Sequence, residues 1–445
     1  MEVFDLENPG QTITVDSQSS VPEDYNDRLI RKRETLLKGN FNVLPFPFKR
    51  ASYFFPGLER GSYTVVAAET KHGKSQTASY AFIFMQLWNA YHNRKLKLKY
   101  LYLNLEESEN RIKDRIVCFL LYKYTDGRVR IGYRDLNSST IPLAQEVIDI
   151  LEDDGFKDIR DFFFNHIEFN DSTYPTGIAI TIDKFFEKNG KVTKGDSFTI
   201  TDNITGKTSI KQRIIGYTQN DPEEFLIVFA DNFNNVTPER GQTLLQAITT
   251  VSKNFKDTRN KYNAVLIGLQ QINAEADSMD AFKQQRIEPR VTQLADCRQV
   301  SRDLNSCIGI LSPYMKFEGL PNGDPRKEVY RGYNIKKLGN YFRALLFLSD
   351  RDGESAKVFP LYFDGKVCVF EELPKADDVN ALELYYNRIE EIHRQEELDQ
   401  QIKEEYKRAN GVSTSFFTAC KDFNNVVAKS TFKQYLCRVF HKIFN

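Results

Sequence analysis

The chain has 445 residues, with 61 basic and 61 acidic side chains and a formal net charge of zero. A balanced charge excludes a generally polycationic nucleic-acid binder, so any DNA contact must come from a local basic surface. The six cysteines include no C-x-x-C pair, the acidic start resembles no signal peptide and no apolar stretch has the length of a membrane span, so a reducing cytoplasm without disulfides or zinc is expected.

The first 45 residues are predicted to be an N-terminal segment with one helix. Residues 1 to about 20 are polar and turn-rich, which predicts a disordered or loosely attached start. The charged stretch 23–39 carries three leucines and ends in glycine, which is typical of an exposed helix with one weak apolar edge. Prolines and glycines then suit an extended lead-in to a larger domain.

From residue 62 onward, strand-like and helix-like stretches alternate, which predicts a mostly parallel twisted sheet flanked by crossover helices. The predicted parallel strands are 62–67, 99–105, 164–169, 225–230, 263–269 and 307–311. The later strands, expected to be antiparallel, are 343–349, 357–363 and 366–371. The predicted helices are 74–92, 108–124, 175–188, 239–261 and 297–305. The sequence therefore predicts an α/β domain over residues 46–373.

Two segments do not follow this pattern. Residues 190–223 alternate polar and β-branched residues around turn residues, which predicts a β-hairpin inserted on the surface. Residues 374–445 are predicted to be a helical extension that begins with a long, charged, solvated helix. The stretch ending in Phe444 carries an apolar stripe among basic residues and predicts a basic amphipathic helix. That helix either docks on the main domain or a neighbouring subunit, or is a surface for DNA, membrane or a protein partner.

The turn after the first predicted strand contains the octapeptide AETKHGKS, residues 68–75. It matches the phosphate-loop pattern G-x-x-x-x-G-K-[ST] except for Ala68 in place of the first glycine. In such a loop, backbone N–H groups bind the nucleotide phosphates, Lys74 contacts the β- and γ-phosphates and Ser75 binds Mg²⁺. The alternative is an ordinary strand–helix turn. The predicted ATP-binding residues are Ala68, Glu69, Thr70, Lys71, His72, Gly73, Lys74, Ser75 and Gln76.

Carboxylates follow two other predicted strands at the same edge of the sheet. The run FLIVFAD ends in Asp231, which is predicted to bind Mg²⁺ together with Ser75, although it could instead cap the next helix. The stretch NLEES contains Glu106 and Glu107, of which Glu106 continues the strand most directly. Glu106 is the predicted base that polarises the attacking water, and the alternative is a helix-capping role for the pair.

Two further side chains are candidates for contact with the γ-phosphate. The strand 263–269 runs into QQIN, where Gln271 is the better candidate for sensing the γ-phosphate and Gln270 is the alternative. Arg351 lies in a turn between two predicted antiparallel strands. From there it could reach a nucleotide on an adjacent subunit and neutralise transition-state charge, or be only a solvent-exposed hairpin arginine.

Taken in order, these blocks resemble the RecA-like motor domain of the DnaB family of hexameric replicative helicases. The stretch GLERGSYTVVAAETKHGKS resembles the family's glycine turn, strand and phosphate loop, in which alanine is usual at position 68. YLNLEESENRIKDRI, FADNFNN, GLQQIN and LSDRDGESAKVFPLYF resemble the blocks that follow. The resemblance implies a RecA-like P-loop NTPase fold. Its implied site residues are the catalytic Glu106, the magnesium ligand Asp231, the γ-phosphate sensor Gln271 and the trans-acting arginine finger Arg351.

The chain departs from the family pattern at several positions. Ser349 stands where the family has a lysine two residues before the finger, so one phosphate contact is missing or replaced. The family's DNA-contacting loop D-L-R-E-S-G appears as QLADCRQ, with Ala295 at the arginine position. The predicted DNA contacts are Arg298 and Arg302. We expect the N-terminal primase-binding domain to be absent, and the helix at 23–38 resembles the linker helix that packs on the adjacent protomer. These features are typical of a bacteriophage or mobile-element form, working in the host cytoplasm.

The resemblance implies an ATP-driven DNA helicase, with ATP and Mg²⁺ bound between the protomers of a homohexamer ring. Such a ring would translocate 5′-to-3′ on single-stranded DNA and unwind forked DNA during replication, with a primase and a helicase loader as possible partners. Two alternatives remain open. A RecA/RadA-like recombination or repair ATPase shares the fold and most motifs, and a nucleotide-switched DNA-binding ring would hold ATP without unwinding.

Overall fold

A nine-stranded mixed sheet forms the centre of the computed structural model, which describes residues 2–4, 12–14, 25–201, 208–272, 287–294, 298–321, 323–351, 353 and 356–410. The strands are β1 Glu2–Phe4, β2 Thr12–Thr14, β3 Val43–Pro45, β4 Gly57–Glu59, β5 Ser62–Ala68, β6 Leu98–Asn104, β7 Ile167–Asn170, β8 Gly190–Thr201, β9 Thr208–Gln219, β10 Phe225–Asp231, β11 Val265–Gln271, β12 Ser306–Leu311, β13 Val329–Tyr330, β14 Tyr333–Asn334, β15 Phe342–Asp350, β16 Lys357–Asp364 and β17 Val369–Glu372.

The helices are α1 Tyr25–Leu37, α2 Lys74–Ser79, α3 Met85–His92, α4 Glu109–Tyr124, α5 Tyr133–Leu136, α6 Gln145–Glu152, α7 Asp154–Asn165, α8 Pro175–Lys188, α9 Leu244–Tyr262, α10 Arg298–Asp303, α11 Pro313–Lys316, α12 Ile335–Leu338 and α13 Val379–Asn410. A π-helical turn, Tyr80–Phe84, joins α2 to α3. Within the described ranges, no helix is both long enough and apolar enough to cross a membrane.

The strands of the sheet follow the order β17–β16–β15–β12–β5–β11–β10–β6–β7. Neighbours from β12 to β7 pair in parallel, whereas β15, β16 and β17 pair antiparallel on the other side of β12. The carboxyl ends of β5, β6, β10, β11 and β12 therefore meet at one edge. The predicted fold class, a mostly parallel sheet with C-terminal antiparallel strands, is confirmed.

The parallel strands bury apolar side chains on both faces of the sheet. In β10, the odd-numbered residues from Phe225 to Phe229 lie in a core that also contains side chains of α2 to α4 and α7. The even-numbered residues from Leu226 to Ala230 lie in a second core with α8 and α9. A strand covered on both faces is a continuous apolar run, which is why FLIVFA was predictable. Asp231 continues the first series, so it lies on the face covered by α2.

The predicted insertion and the first part of the predicted extension are present. β8 and β9 form an antiparallel hairpin that is a separate two-stranded sheet. The long charged helix corresponds to α13, which contributes Leu382 and Ile389 to a third apolar core with residues of β15 and β16. One edge of this helix therefore docks on the domain. The predicted basic amphipathic helix lies in residues 411–445, outside the described residues.

The sequence prediction missed the helices α6 and α7. α7 buries Phe156, Ile159 and Phe163, whose spacing of three and four residues is helical. It continues into the predicted strand 164–169, and β7 begins only at Ile167. The aromatic run at the end of α7 looked like the start of a strand because short apolar runs do not distinguish the two structures.

The boundaries of the helix before β11 were also wrong, for local reasons. α9 begins at Leu244 and not at 239, because Thr243 and Gln246 form a capping box at that point. Asn263 adopts a left-handed conformation with φ of 53° and ends the helix. β11 therefore begins later than predicted, at Val265.

Gly268 in β11 leaves space for the ring of Phe233. A Cβ on Gly268 would lie 2.2 Å from Phe233 Cζ, and Phe233 is fully buried. We expect Gly268→Ala to lower the free energy of unfolding by about 1–3 kcal/mol, the usual cost of overpacking a core. Adding Phe233→Leu should restore part of this loss in chemical denaturation. The control is Gly319→Ala, whose Cβ would meet no atom within 4 Å, and equal losses in both variants would contradict the packing argument.

Candidate nucleotide-binding site

The loop between β5 and α2 turns at two left-handed residues, Lys71 with φ of 68° and Gly73 with φ of 95°. This conformation favours glycine, and a Cβ on Gly73 would lie only 3.2 Å from Arg343 Nε. Both its own backbone and its neighbour therefore favour glycine at position 73. Ala68 is the fully buried last residue of β5 and has no left-handed backbone, so the loop needs no glycine there.

The start of α2 meets the end of β10. Lys74 and Ser75 are the first two residues of α2, and Ser75 Oγ donates a hydrogen bond to Asp231 Oδ1 at 3.0 Å. The next side chain, Gln76, donates from Nε2 to the carbonyl of Gly365 at 3.0 Å. The structure thus brings together the lysine, serine and aspartate that the sequence predicted for phosphate and magnesium binding.

Burial changes the ionisation of the two charged groups in this cluster. Lys74 is only 9% exposed, and desolvation lowers the pKa of its ammonium, while the charges of Asp231 and Glu106 raise it. Burial raises the pKa of Asp231 to about 6, and the charge of Lys74 offsets part of that rise. Both groups would be stabilised in their charged forms by a ligand that brings opposite charge to each of them.

The oxygens of Ser75 and Asp231 suit a magnesium ion. Mg²⁺ usually binds one or two protein oxygens and completes its octahedral shell with phosphate oxygens and waters. A hydroxyl and a carboxylate 3.0 Å apart supply such a pair, and the adjacent Lys74 supplies positive charge for the phosphates. The residues present therefore fit a nucleotide with Mg²⁺.

The two glutamates after β6 have different partners. Asn232 Nδ2 donates a hydrogen bond to Glu106 Oε2, which holds the exposed Glu106 beside the end of β10. Glu107 instead accepts a hydrogen bond from Arg115 Nη2 at 2.6 Å and lies 3.3 Å from Arg111 Nε. Glu107 is therefore held by α4, whereas Glu106 lies beside the magnesium-binding candidates.

The two glutamines at the end of β11 lie on opposite faces of the sheet. Gln270 is 1% exposed. Gln271 is exposed, and its Nε2 donates a hydrogen bond to Oγ1 of Thr70 in the phosphate loop. The backbone N–H of Gln271 also donates to Asn234 Oδ1 at 2.9 Å. Of the two candidates, Gln271 is the one that contacts the loop.

Arg351 lies at the opposite edge of the sheet from the phosphate loop of its own chain. It follows β15, whose last residue Asp350 pairs with Ser306 at the start of β12. The backbone N–H of Arg351 donates to the carbonyl of Asn305 at 3.1 Å, and its exposed side chain donates from Nη2 to the carbonyl of Arg302. Within one chain, Arg351 is therefore not part of the site formed at the start of α2.

The predicted DNA contacts are described in part. Arg302 is exposed in α10, and Arg298 is the first residue of that helix. Ala295 lies outside the described residues. Contact of Arg298 and Arg302 with DNA stays a prediction.

A buried ion pair ties the phosphate loop to a distant segment, and the sequence analysis missed it. Glu69 Oε1 lies 2.6 Å from Lys316 Nζ, and Lys316 is 5% exposed. The backbone N–H of Ser312 donates to His72 Nδ1 at 3.2 Å. These partners are 247 and 240 residues apart, so no local sequence pattern could have indicated the contacts.

The parallel sheet, the loop after β5 and the polar strand ends define a RecA-like ATPase fold. Among solved structures, the chain is similar to a phosphate-loop protein's isolated ATPase domain, with a TM-score of 0.52 and 14% sequence identity, covering 80% of this chain and 100% of that chain. It is also similar to a DnaB-like replicative helicase described with its interactions with primase, with a TM-score of 0.50 and 14% identity, covering 78% of this chain and 68% of that chain.

The predicted resemblance to DnaB-like helicase ATPase domains is confirmed at the level of the fold, which is what similarity at these identities establishes. No protein-family model matches the sequence, and no curated protein sequence matches it either.

In the absence of nucleotide and magnesium, the raised pKa of Asp231 makes its contribution to stability fall as the pH rises. The folded chain prefers the protonated carboxyl, so this contribution is complete below the unfolded pKa of about 4. It is lost as the pH rises through the folded pKa of about 6.

We therefore expect the unfolding free energy of Asp231→Asn, relative to the wild type, to increase by about 2 kcal/mol between pH 4 and pH 7, because the amide does not titrate. Urea denaturation at each pH measures the difference, which cancels the titration of all other groups. A difference that stays constant with pH would contradict the raised pKa.

Proposed function

We propose that this chain is an ATP-hydrolysing DNA helicase that acts as a ring of identical subunits. The observation that carries the proposal is the cluster of Lys74, Ser75 and Asp231 at the carboxyl edge of a RecA-like sheet, with Ser75 Oγ 3.0 Å from Asp231 Oδ1. The cluster supplies one positive charge and two oxygen ligands beside a left-handed glycine turn. The ATPase fold of DnaB-like helicases favours a motor over an unrelated phosphate-binding protein.

In this proposal, the loop and the start of α2 bind the triphosphate. The backbone N–H groups of the loop contact phosphate oxygens, and Lys74 neutralises the β- and γ-phosphates. Ser75 and Asp231 hold Mg²⁺, which supplies positive charge to the phosphate oxygens. The hydrogen bond between Ser75 and Asp231 supports this role because it already brings the two oxygens to within 3.0 Å.

Glu106 is the proposed base that orients and polarises the attacking water. Its hydrogen bond from Asn232 fixes the carboxylate next to the strand that ends in Asp231. Gln271 is the proposed γ-phosphate sensor, since its side chain already contacts Thr70 of the loop. Loss of the γ-phosphate would then change a contact at the end of β11, the strand that leads into the segment after residue 272.

The proposed ring rests on the location of Arg351. Its exposed guanidinium lies at the opposite edge of the sheet from the chain's own loop, so it could complete only the site of a neighbouring subunit. Head-to-tail contacts of this kind close into rings when the rotation allows it. The helix α1 supports a subunit contact because it exposes large apolar side chains, among them Leu29, Ile30, Leu36 and Leu37. A homohexamer is proposed from the resemblance to DnaB-type rings.

Single-stranded and forked DNA are the proposed substrates, with 5′-to-3′ translocation and contacts through Arg298 and Arg302. A primase and a loader are proposed partners, since one similar helicase was described with its interactions with primase. Unwinding of a forked duplex with a 5′ or a 3′ tail tests the function and its direction. A RecA/RadA-like ATPase would exchange strands instead, and a nucleotide-switched ring would bind DNA without opening the duplex.

The two adjacent glutamates provide a matched test of the catalytic base. We expect Glu106→Gln to lower the kcat of DNA-stimulated ATP hydrolysis by at least about 100-fold, because a positioned base contributes about 10²–10⁴. Nucleotide binding should remain. Glu107→Gln should change kcat by less than about fivefold, since Glu107 is held by Arg115 and Arg111. Equal effects of the two substitutions would contradict the role of Glu106.

A mixing experiment tests whether Arg351 acts on the neighbouring subunit. Arg351→Ala and Lys74→Ala should each be almost inactive alone, since an arginine finger is worth about 10³–10⁵ in kcat. In a random one-to-one mixture, about a quarter of the subunit interfaces pair an intact loop with an intact arginine, so ATP hydrolysis should reappear. A mixture as inactive as its components would show that Arg351 does not act between subunits.

A further inference from the structure

Arg343 is a buried arginine directly behind the phosphate loop. It is the second residue of β15, FRALLFLSD, in an otherwise apolar start of the strand, and it is only 2% exposed. Its Nε lies 3.2 Å from the position that a Cβ on Gly73 would occupy. The same Nε is buried and has no hydrogen-bond partner in the described part of the chain.

The groups that bind the guanidinium are neutral. Arg343 Nη1 donates to Ser312 Oγ at 3.1 Å and to the carbonyls of Asn340 and Phe342 at 2.9 and 2.7 Å. Nη2 donates to Asn340 Oδ1 at 3.0 Å. The guanidinium carbon lies 4.5 Å from the centroid of the Phe363 ring. Burial lowers the pKa of Arg343, and no carboxylate of the described residues offsets this effect.

Other buried cations in this region have carboxylate partners. Lys316 Nζ lies 2.6 Å from Glu69 Oε1 behind the loop. Arg130 binds both carboxylate oxygens of Asp364, the last residue of β16, at 2.5 and 2.9 Å. An ion that is buried without a counter-charge is strongly unfavourable. The exception at Arg343 indicates that its counter-charge comes from a ligand of the adjacent loop.

We propose that Arg343 is a positioning residue that makes the phosphate loop selective for highly charged nucleotides. It packs against Gly73 and adds a fixed positive charge behind the loop, in an interior where charges interact over several ångströms. Each additional phosphate of the nucleotide therefore gains from its presence. The inference rests on the proposed ATP binding, and it assigns to Arg343 part of the positive charge that is missing at Ser349.

Two substitutions separate the charge of Arg343 from its packing. Arg343→Gln keeps a hydrogen-bond donor but removes the charge, and Arg343→Lys keeps the charge. Calorimetry on the full chain with Mg²⁺ measures the Kd of a non-hydrolysable ATP analogue, ADP and AMP. We expect Arg343→Gln to weaken the ATP analogue about tenfold, ADP less, and AMP by less than about twofold. Arg343→Lys should keep the ratios of the three Kd values within about threefold of the wild type.

The matched control is Arg130→Gln, because Arg130 is also largely buried but is paired with Asp364. It should lower the Tm without changing the ratios of the three Kd values. If Arg343→Gln weakens all three ligands equally, or none of them, Arg343 only supports the fold and the proposal is overturned. Should Arg343→Gln not fold, Arg343→Lys decides, because retention of the triphosphate preference supports the proposal and its loss overturns it.

The same measurements distinguish this inference from the proposed function. A wild-type chain that binds none of the three nucleotides would refute ATP binding itself. So would a Lys74→Ala variant that binds the ATP analogue as tightly as the wild type. If the wild type binds ATP through Lys74 but the Arg343 variants show unchanged ratios, only the role of Arg343 is refuted.

Discussion

The parallel pairing of β5 with β11 and β12 is the constraint on which the rest of the site depends. Its register sets Ala68, the last residue before the loop, beside Gln271 on one side and Ile310 on the other. β10 continues the parallel arrangement beyond β11 and brings Asp231 to the same edge. Because parallel strands all end at one edge, side chains far apart in the sequence reach the start of α2. An antiparallel order would send alternate strand ends to opposite edges and separate Asp231 from Ser75.

The antiparallel strand β15 joins the two edges of the sheet that matter for the proposed motor. Its start carries Arg343 behind the chain's own loop, and its end leads to Arg351 at the opposite edge. β12 and β16 pair with it on its two sides, so it is held within the sheet. In a ring, the loop for one nucleotide and the arginine offered to the next subunit would therefore be attached to the same strand.

The site is stable in its fold but unfavourable in its electrostatics. Desolvation lowers the pKa of Lys74 and raises that of Asp231, so burial disfavours the charged form of each group. Arg343 is buried next to neutral groups. These costs are offset elsewhere by the two large apolar cores on either face of the sheet. Such conflicts between local stability and buried charge are typical of functional sites, where a ligand removes them.

The sequence by itself determined the alternation of strands and helices, the phosphate loop and the aspartate at the end of β10. These features are local, since a strand covered on both faces is a continuous apolar run and a strand–loop–helix turn has its own pattern. It did not determine α6 and α7, because short apolar runs suit either a helix or a strand. It favoured Glu106 over Glu107 and Gln271 over Gln270, and the contacts agree with both preferences, while their roles stay predictions.

Only the tertiary structure decided which groups surround the loop. The Glu69–Lys316 ion pair and the contact of Arg343 with Gly73 join segments far apart in the chain. In the sequence, a lysine or arginine between strands reads as a solvent-exposed charge, because spacing along the chain carries no information about such partners. Whether a charged side chain is buried, and what compensates it, depends on which distant segment packs against it in three dimensions.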